Sequence, residues 1–214
     1  AQVLFIADWW SGSLVKMHCD KETHESLFGK EHGLILMNHH YELDWLFGWM
    51  GADRYNILGN GRVYVKKMLK YIPVFGWAWY FSDVVFLDRS WDKDRRALKE
   101  GIENFQNYPD PMWVLIFAEG TRFSPEKHAA GIDFARERGL PVMKHDLTPR
   151  TKGFVETMKN IDPTKIKCIY DITLVVNEKE GAPATLSNIL MGRKTVGECY
   201  IRRIPLDTLD CKNE

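Results

Sequence analysis

Apolar residues fall along the chain in short runs separated by stretches of helical period. Gly33-Leu-Ile-Leu-Met37 is a continuous apolar run stopped by Asn38, as a buried strand would be, and Glu42 to Met50 behind it has helical composition. The order repeats. Val84-Val-Phe-Leu87 predicts a second strand, followed by a helix from Trp91 to Tyr108 in which Ala97, Leu98, Ile102 and Phe105 recur at helical spacing before Pro109 closes it. Trp113 to Ala118 predicts a third buried strand and Glu119 to Phe123 a loop. Pro125 to Arg138 predicts a helix opened by Ser124 as N-cap and ended by Gly139. Pro141-Val-Met143, an alternating strand from Lys167 to Val176 and a late strand near Cys199 to Ile204 complete the pattern, with Gly181-Ala-Pro183 as a turn. Strands alternating with helices predict an α/β fold: a single domain with a mostly parallel central sheet flanked by helices. Ligands of such sheets gather beyond the carboxyl ends of the strands, so the loops there carry the interest.

Composition narrows the function classes. With 214 residues, 45% hydrophobic and 27% charged, the chain can bury one substantial core. Lys+Arg and Asp+Glu both total 29, so no bulk charge draws it to nucleic acid, and any anion site must be local. Cys19, Cys168, Cys199 and Cys211 are scattered without a CxxC pair, which argues against a zinc knuckle or disulfide scaffold and fits a reducing compartment. No Asn-x-Ser/Thr acceptor occurs. The start, Ala1 to Trp10, has neither initiator Met nor basic leader, and no uninterrupted apolar run reaches bilayer length, so the chain is expected to be a fragment that does not span a membrane unaided. Between Leu69 and Leu87, Tyr71, Phe75, Trp77, Trp79, Tyr80 and Phe81 crowd around Pro73 and Gly76, behind Arg62, Lys66, Lys67 and Lys70. Such a segment is either core or a surface lying in the lipid headgroup layer.

Three strand-end loops hold the unusual residues: Asn38 to Asp44, Asp88-Arg89, and Glu119-Gly120-Thr121-Arg122. His39 and Asp44 are five apart, about 140° around an ideal helix, so they share no helical face. With His39 in the loop and Asp44 in the first turn, however, the carboxylate can reach back and make the imidazole a base for an alcohol. The competing reading makes His39 and Asp44 ordinary caps. A metal on His39 and His40 is disfavoured because neighbouring side chains diverge and no ligand spacing follows. Arg89 and Arg122 suit a phosphomonoester, and Gly120 permits close backbone approach to an anion. Alternatively, each arginine pairs locally, with Asp88 and Glu119.

In order and content these loops resemble the 1-acylglycerol-3-phosphate (lysophosphatidic acid) acyltransferases, within the glycerolipid acyltransferase superfamily. The first family motif, Asn-His, four residues, Asp, is met by Asn38-His39 and Asp44; the second by Phe86-Leu87-Asp88-Arg89; the third by Glu119 to Arg122. Lys66, Leu69, Pro73 and Gly76-Trp77 match a further Lys-x-x-Leu, Pro and Gly-Trp pattern. Pro149-Arg150-Thr151-Lys152-Gly153-Phe154 is similar to a segment of the eukaryotic gamma/delta branch. The similarity covers nearly the whole chain. Ala118 stands where many members have Pro, and members usually carry flanking membrane spans. The resemblance therefore implies an acyltransferase catalytic domain over residues 1–214, lacking flanking transmembrane segments.

It also implies acyl-CoA-dependent transfer to the free sn-2 hydroxyl of lysophosphatidic acid, giving phosphatidic acid. His39 would be the general base and Asp44 its orienter; Lys66, Asp88, Arg89, Glu119, Gly120, Thr121 and Arg122 would form the acceptor site. Acyl-CoA enters as co-substrate, and neither cofactor nor metal is expected. The expected partners are a lysophospholipid acceptor and a membrane surface, with no nucleic acid. The expected location is the endoplasmic reticulum membrane with a cytosol-facing site, a mitochondrial membrane being the alternative. Another lysophospholipid acceptor (lysocardiolipin, lysophosphatidylinositol) and a non-catalytic membrane-binding module are the rival functions.

Overall fold

A computed structural model describes residues 2–71, 76–77, 80, 84–88 and 90–209. Seven strands form one sheet among these residues: β1 (Leu14–His18), β2 (Gly33–Met37), β3 (Gly61–Lys66), β4 (Val85–Leu87), β5 (Trp113–Ile116), β6 (Cys168–Val176) and β7 (Val196–Pro205). Their order is β1-β7-β6-β2-β5-β3-β4. Only the β6–β7 pairing is antiparallel, with Cys168 opposite Pro205 and Val176 opposite Gly197. The described helices include α1 (Gln2–Phe5), continued by a π-helical turn at Ile6–Trp10, then α2 (Asp44–Arg54), α3 (Trp91–Gln106), α4 (Pro125–Glu137), α5 (Thr151–Lys159) and α6 (Leu186–Leu190). α2 and α3 are the crossovers that parallel pairing requires. Because β2, β3, β4, β5 and β6 run the same way, their carboxyl ends share one edge of the sheet.

Alternation along the strands divides the core. In β2, Ile35 and Met37 join Leu43, Leu46, Phe47 and Met50 of the α2 side, together with Val15, Tyr170 and Ile172. Leu34, on the opposite face, packs with Ile102 and Phe105 of α3 and with Val114, Ile116 and Ile169. Each fully buried side chain of this kind contributes about 1.5–3 kcal/mol relative to exposure. α2 lies close over the sheet: a Cβ at Gly197 would sit 2.7 Å from the Phe47 ring, so a bare backbone is required there. That contact sets the height of the helix whose first residue is Asp44.

The single α/β domain with its mostly parallel sheet is the expected one, and Ser124 caps α4 by accepting from the Lys127 N–H, with Pro125 at its start. Differences lie at the margins. β1 and β3 have no continuous apolar run to advertise them: β1 is an edge strand, and β3 is a partly exposed strand ending in the basic run. α2 begins at Asp44, two residues later than its composition indicates, and continues to Arg54. α5 occupies the segment read only as a motif, and Pro141 to Met143 is coil.

Candidate functional site

β2 ends at Met37, and the Asn38 side chain then acts as a backbone substitute. Its amide donates to Leu174 O at 3.0 Å and its oxygen accepts from Leu174 N at 2.7 Å, pinning the loop to β6. The next residue, His39, places Nδ1 2.8 Å from Asp44 Oδ2. Asp44 is only 1% exposed, and both its oxygens accept from the Tyr41 N–H, at 3.1 and 3.0 Å. The pair is therefore a built feature rather than two independent caps. A carboxylate facing Nδ1 favours the tautomer that donates there, which leaves Nε2 as an acceptor. The ring is held flat against Phe117, centroids 4.3 Å apart, while staying partly open to solvent.

Glu119, following β5, is 5% exposed. Its Oε1 accepts from the His39 backbone N–H at 3.3 Å, and Phe123 N donates to His39 O at 2.7 Å. Burial, reinforced by the nearby charge of Asp146, pushes the Glu119 carboxyl above its ordinary value. Glu119 thus ties the turn after β5 to the His39 loop. Gly120 takes a left-handed conformation, φ +67°, and a Cβ there would lie 3.0 Å from Arg150 Cδ. Lys127 Nζ donates to Thr121 Oγ1 and Arg122 O, both at 2.9 Å, and so fixes the turn. Among the described residues the exposed Arg122 guanidinium has no ion-pair partner; the pairing with Glu119 does not form.

Arg150, absent from the residues singled out for the acceptor site, stands beside Gly120, its backbone N–H donating to Ala118 O at 2.7 Å. The Pro149–Phe154 motif contained it, but nothing in its spacing linked it to the Glu119–Arg122 turn more than twenty-five residues earlier. Lys66 ends β3 and Asp88 follows β4, so both lie at the same sheet edge. They border an open cleft of about 480 Å³ with Lys67, Met68, Tyr71 and Leu87, and Asp88 is paired with Lys67 at 2.7 Å. Arg89 lies outside the described residues.

Phe117, the support of His39, also borders an apolar cavity of about 110 Å³ between α2 and the sheet, walled by Met37, Trp45, Phe47, Trp113 and Leu115. Cys199 adjoins this cavity, but burial pushes its thiol up to about 12, and burial does the same to Cys168. Neither is a thiolate nucleophile near neutral pH. Cys211 lies outside the described residues.

A family model described as Acyltransferase matches residues 16–176, a span that includes His39, Asp44, Lys66, Asp88, Arg89, Arg150 and the turn from Glu119 to Arg122. The chain is 40% identical over 209 residues to 1-acyl-sn-glycerol-3-phosphate acyltransferase gamma of Homo sapiens, covering 98% of this chain and 54% of that protein. It is 38% identical over 207 residues to 1-acyl-sn-glycerol-3-phosphate acyltransferase delta of Bos taurus, covering 97% of this chain and 54% of that one. The chain thus spans about half the length of these relatives.

Proposed function

Because the chain belongs to the Acyltransferase family, we propose that it transfers a fatty acyl group from acyl-CoA to the free sn-2 hydroxyl of lysophosphatidic acid, giving phosphatidic acid and free CoA. The observation that carries this reading is the His39–Asp44 pair, 2.8 Å apart at the carboxyl edge of the sheet, with Nε2 left to accept. The acceptor O–H gives its proton to Nε2 as the oxygen attacks the thioester carbonyl. The C–S bond breaks, and the departing CoA sulfur takes up a proton. A thioester is already activated, so direct attack within a ternary complex calls for neither a covalent enzyme intermediate nor a metal. Arg122 at the turn, with Arg89 by its motif position, holds the acceptor phosphate. Lys66 and Asp88 border the cleft beside it, and the apolar cavity behind Phe117 receives part of the acyl chain.

An intact His–Asp pair speaks against a non-catalytic module. Supplying acyl-CoA with a panel of lysophospholipids, and identifying each product by mass, tests the acceptor. Preferential acylation of lysocardiolipin or lysophosphatidylinositol would move the assignment to that headgroup.

The acceptor and the product are membrane lipids, and no described helix is long and apolar enough to cross a bilayer. Tyr71 and Trp77 are 76% and 66% exposed beside the basic end of β3, an arrangement suited to the headgroup layer of the endoplasmic reticulum membrane on its cytosolic side. Phe75, Trp79 and Phe81 of the same segment lie outside the described residues. The variant Tyr71→Ser with Trp77→Ser is expected to retain its circular dichroism while its partitioning onto anionic vesicles falls about tenfold, the loss of two interfacial rings. Unchanged co-sedimentation would show that this segment does not face lipid.

A further inference from the structure

The two adjacent histidines point to different partners, and the second has its own acidic surroundings. His40 Nε2 lies 3.0 Å from Asp146 Oδ1, and its ring is held against Phe123, centroids 4.6 Å apart. Donor atoms of His40, Glu119 and Asp146 all fall within 4.8 Å of one another. These residues come from three separate segments: the loop after β2, the turn after β5 and the coil before α5. Glu119 is 5% exposed, and while Oε1 serves the His39 backbone, Oε2 has no hydrogen-bond partner among the described residues. A buried carboxylate oxygen without a partner is costly, and natural structures seldom keep one unless something else satisfies it.

We propose that His40, Glu119 and Asp146 form a binding site for one divalent transition-metal ion of the zinc class, with its fourth position open to solvent. One imidazole and two carboxylates are a zinc-type donor set, and their combined charge of −2 matches the ion. Tetrahedral zinc with ligands at about 2.0–2.2 Å needs its donors about 3.3–3.6 Å apart, so the 3.0 Å His40–Asp146 pair must open slightly while the widest donor separation, within 4.8 Å, closes by up to about 1.5 Å. His40 and Asp146 are on loops and partly exposed, which makes that a matter of side-chain rotation and gives the ion a way in. Bound there, the ion would tie together the three segments around His39, working through Glu119 as a positioning element and not as a participant in acyl transfer.

Protein stripped with a chelator and titrated calorimetrically with zinc chloride is expected to bind one equivalent. His40→Asn and Asp146→Asn, each removing one ligand outside the transfer machinery, are expected to weaken binding by at least about tenfold. Asp146→Asn changes a residue on a partly exposed coil, so it reports on the site even if His40→Asn disturbs folding. Cobalt(II) in place of zinc should give visible absorption bands in the wild type that both variants lack. Absence of one-equivalent binding in the wild type, or unchanged affinity in either folded variant, overturns the site. Turnover of acyl-CoA by the stripped protein is expected to persist, so failure of the metal site and failure of the transfer reading are separately visible.

Discussion

His39→Ala is expected to lower acyl transfer about 10²–10⁴-fold while leaving the circular dichroism spectrum intact, the range that general-base assistance typically supplies. The side chain is partly exposed at the end of β2, so its removal opens no core cavity. What disappears is the acceptor for the hydroxyl proton, without which the alcohol is a poor nucleophile. Asp44→Asn should be nearly as damaging. An amide at this 1%-exposed position can still take the Tyr41 N–H, but it carries no charge to stabilise the imidazolium formed during attack and does not dictate which ring nitrogen is protonated. His40→Ala is the internal control and should be mild, since His40 faces Asp146 and not Asp44. A folded His39→Ala protein retaining more than about a tenth of the wild-type rate would lie outside the general-base range and remove His39 from the mechanism.

Arg122→Ala should act on a different part of the reaction. Its guanidinium has no ion-pair partner among the described residues, and the turn beneath it is held by Lys127 and by the left-handed Gly120, so truncation should not collapse the loop. Losing a charge-assisted contact to phosphate costs about 1.5–3 kcal/mol. At 1.4 kcal/mol per factor of ten, that corresponds to roughly a 10- to 100-fold fall in kcat/KM for the acceptor. The KM for acyl-CoA should change little. Arg122→Lys should rescue partly, because a point charge replaces a two-pronged fork. Arg89→Ala is expected to behave likewise on the strength of its motif position. Acceptor titrations indistinguishable from wild type in both alanine variants would take the phosphate away from this edge of the sheet.

Much of this site was readable in the chain, and the unread parts have physical reasons. β2 and β5 are buried on both faces and wrote themselves as apolar runs, so the loops carrying His39 and Glu119 could be placed at their ends. The reach of Asp44 back to His39 followed from one residue being in a loop and the other in a first turn. β1 and β3 left no such mark, since one is an edge strand and the other is partly exposed and runs into lysines. Three relations were beyond local pattern altogether: Glu119 bonding the His39 backbone, Arg150 packing on Gly120, and Asp146 meeting His40 across 106 positions. Each is a contact between loops that only the strand order brings together. The aromatic segment that invited a membrane reading is described only in part, and there Tyr71 and Trp77 are exposed rather than core.

We propose that this chain joins an acyl-CoA to lysophosphatidic acid. A time course of phosphatidic acid and free CoA, with the protein and both substrates supplied on anionic vesicles, meets that proposal most directly. The two products are expected to rise together in equal amounts, and both to stay near background when His39→Ala replaces the wild type. Folded, vesicle-bound wild-type protein that releases CoA without forming phosphatidic acid, or that forms neither product, would contradict it.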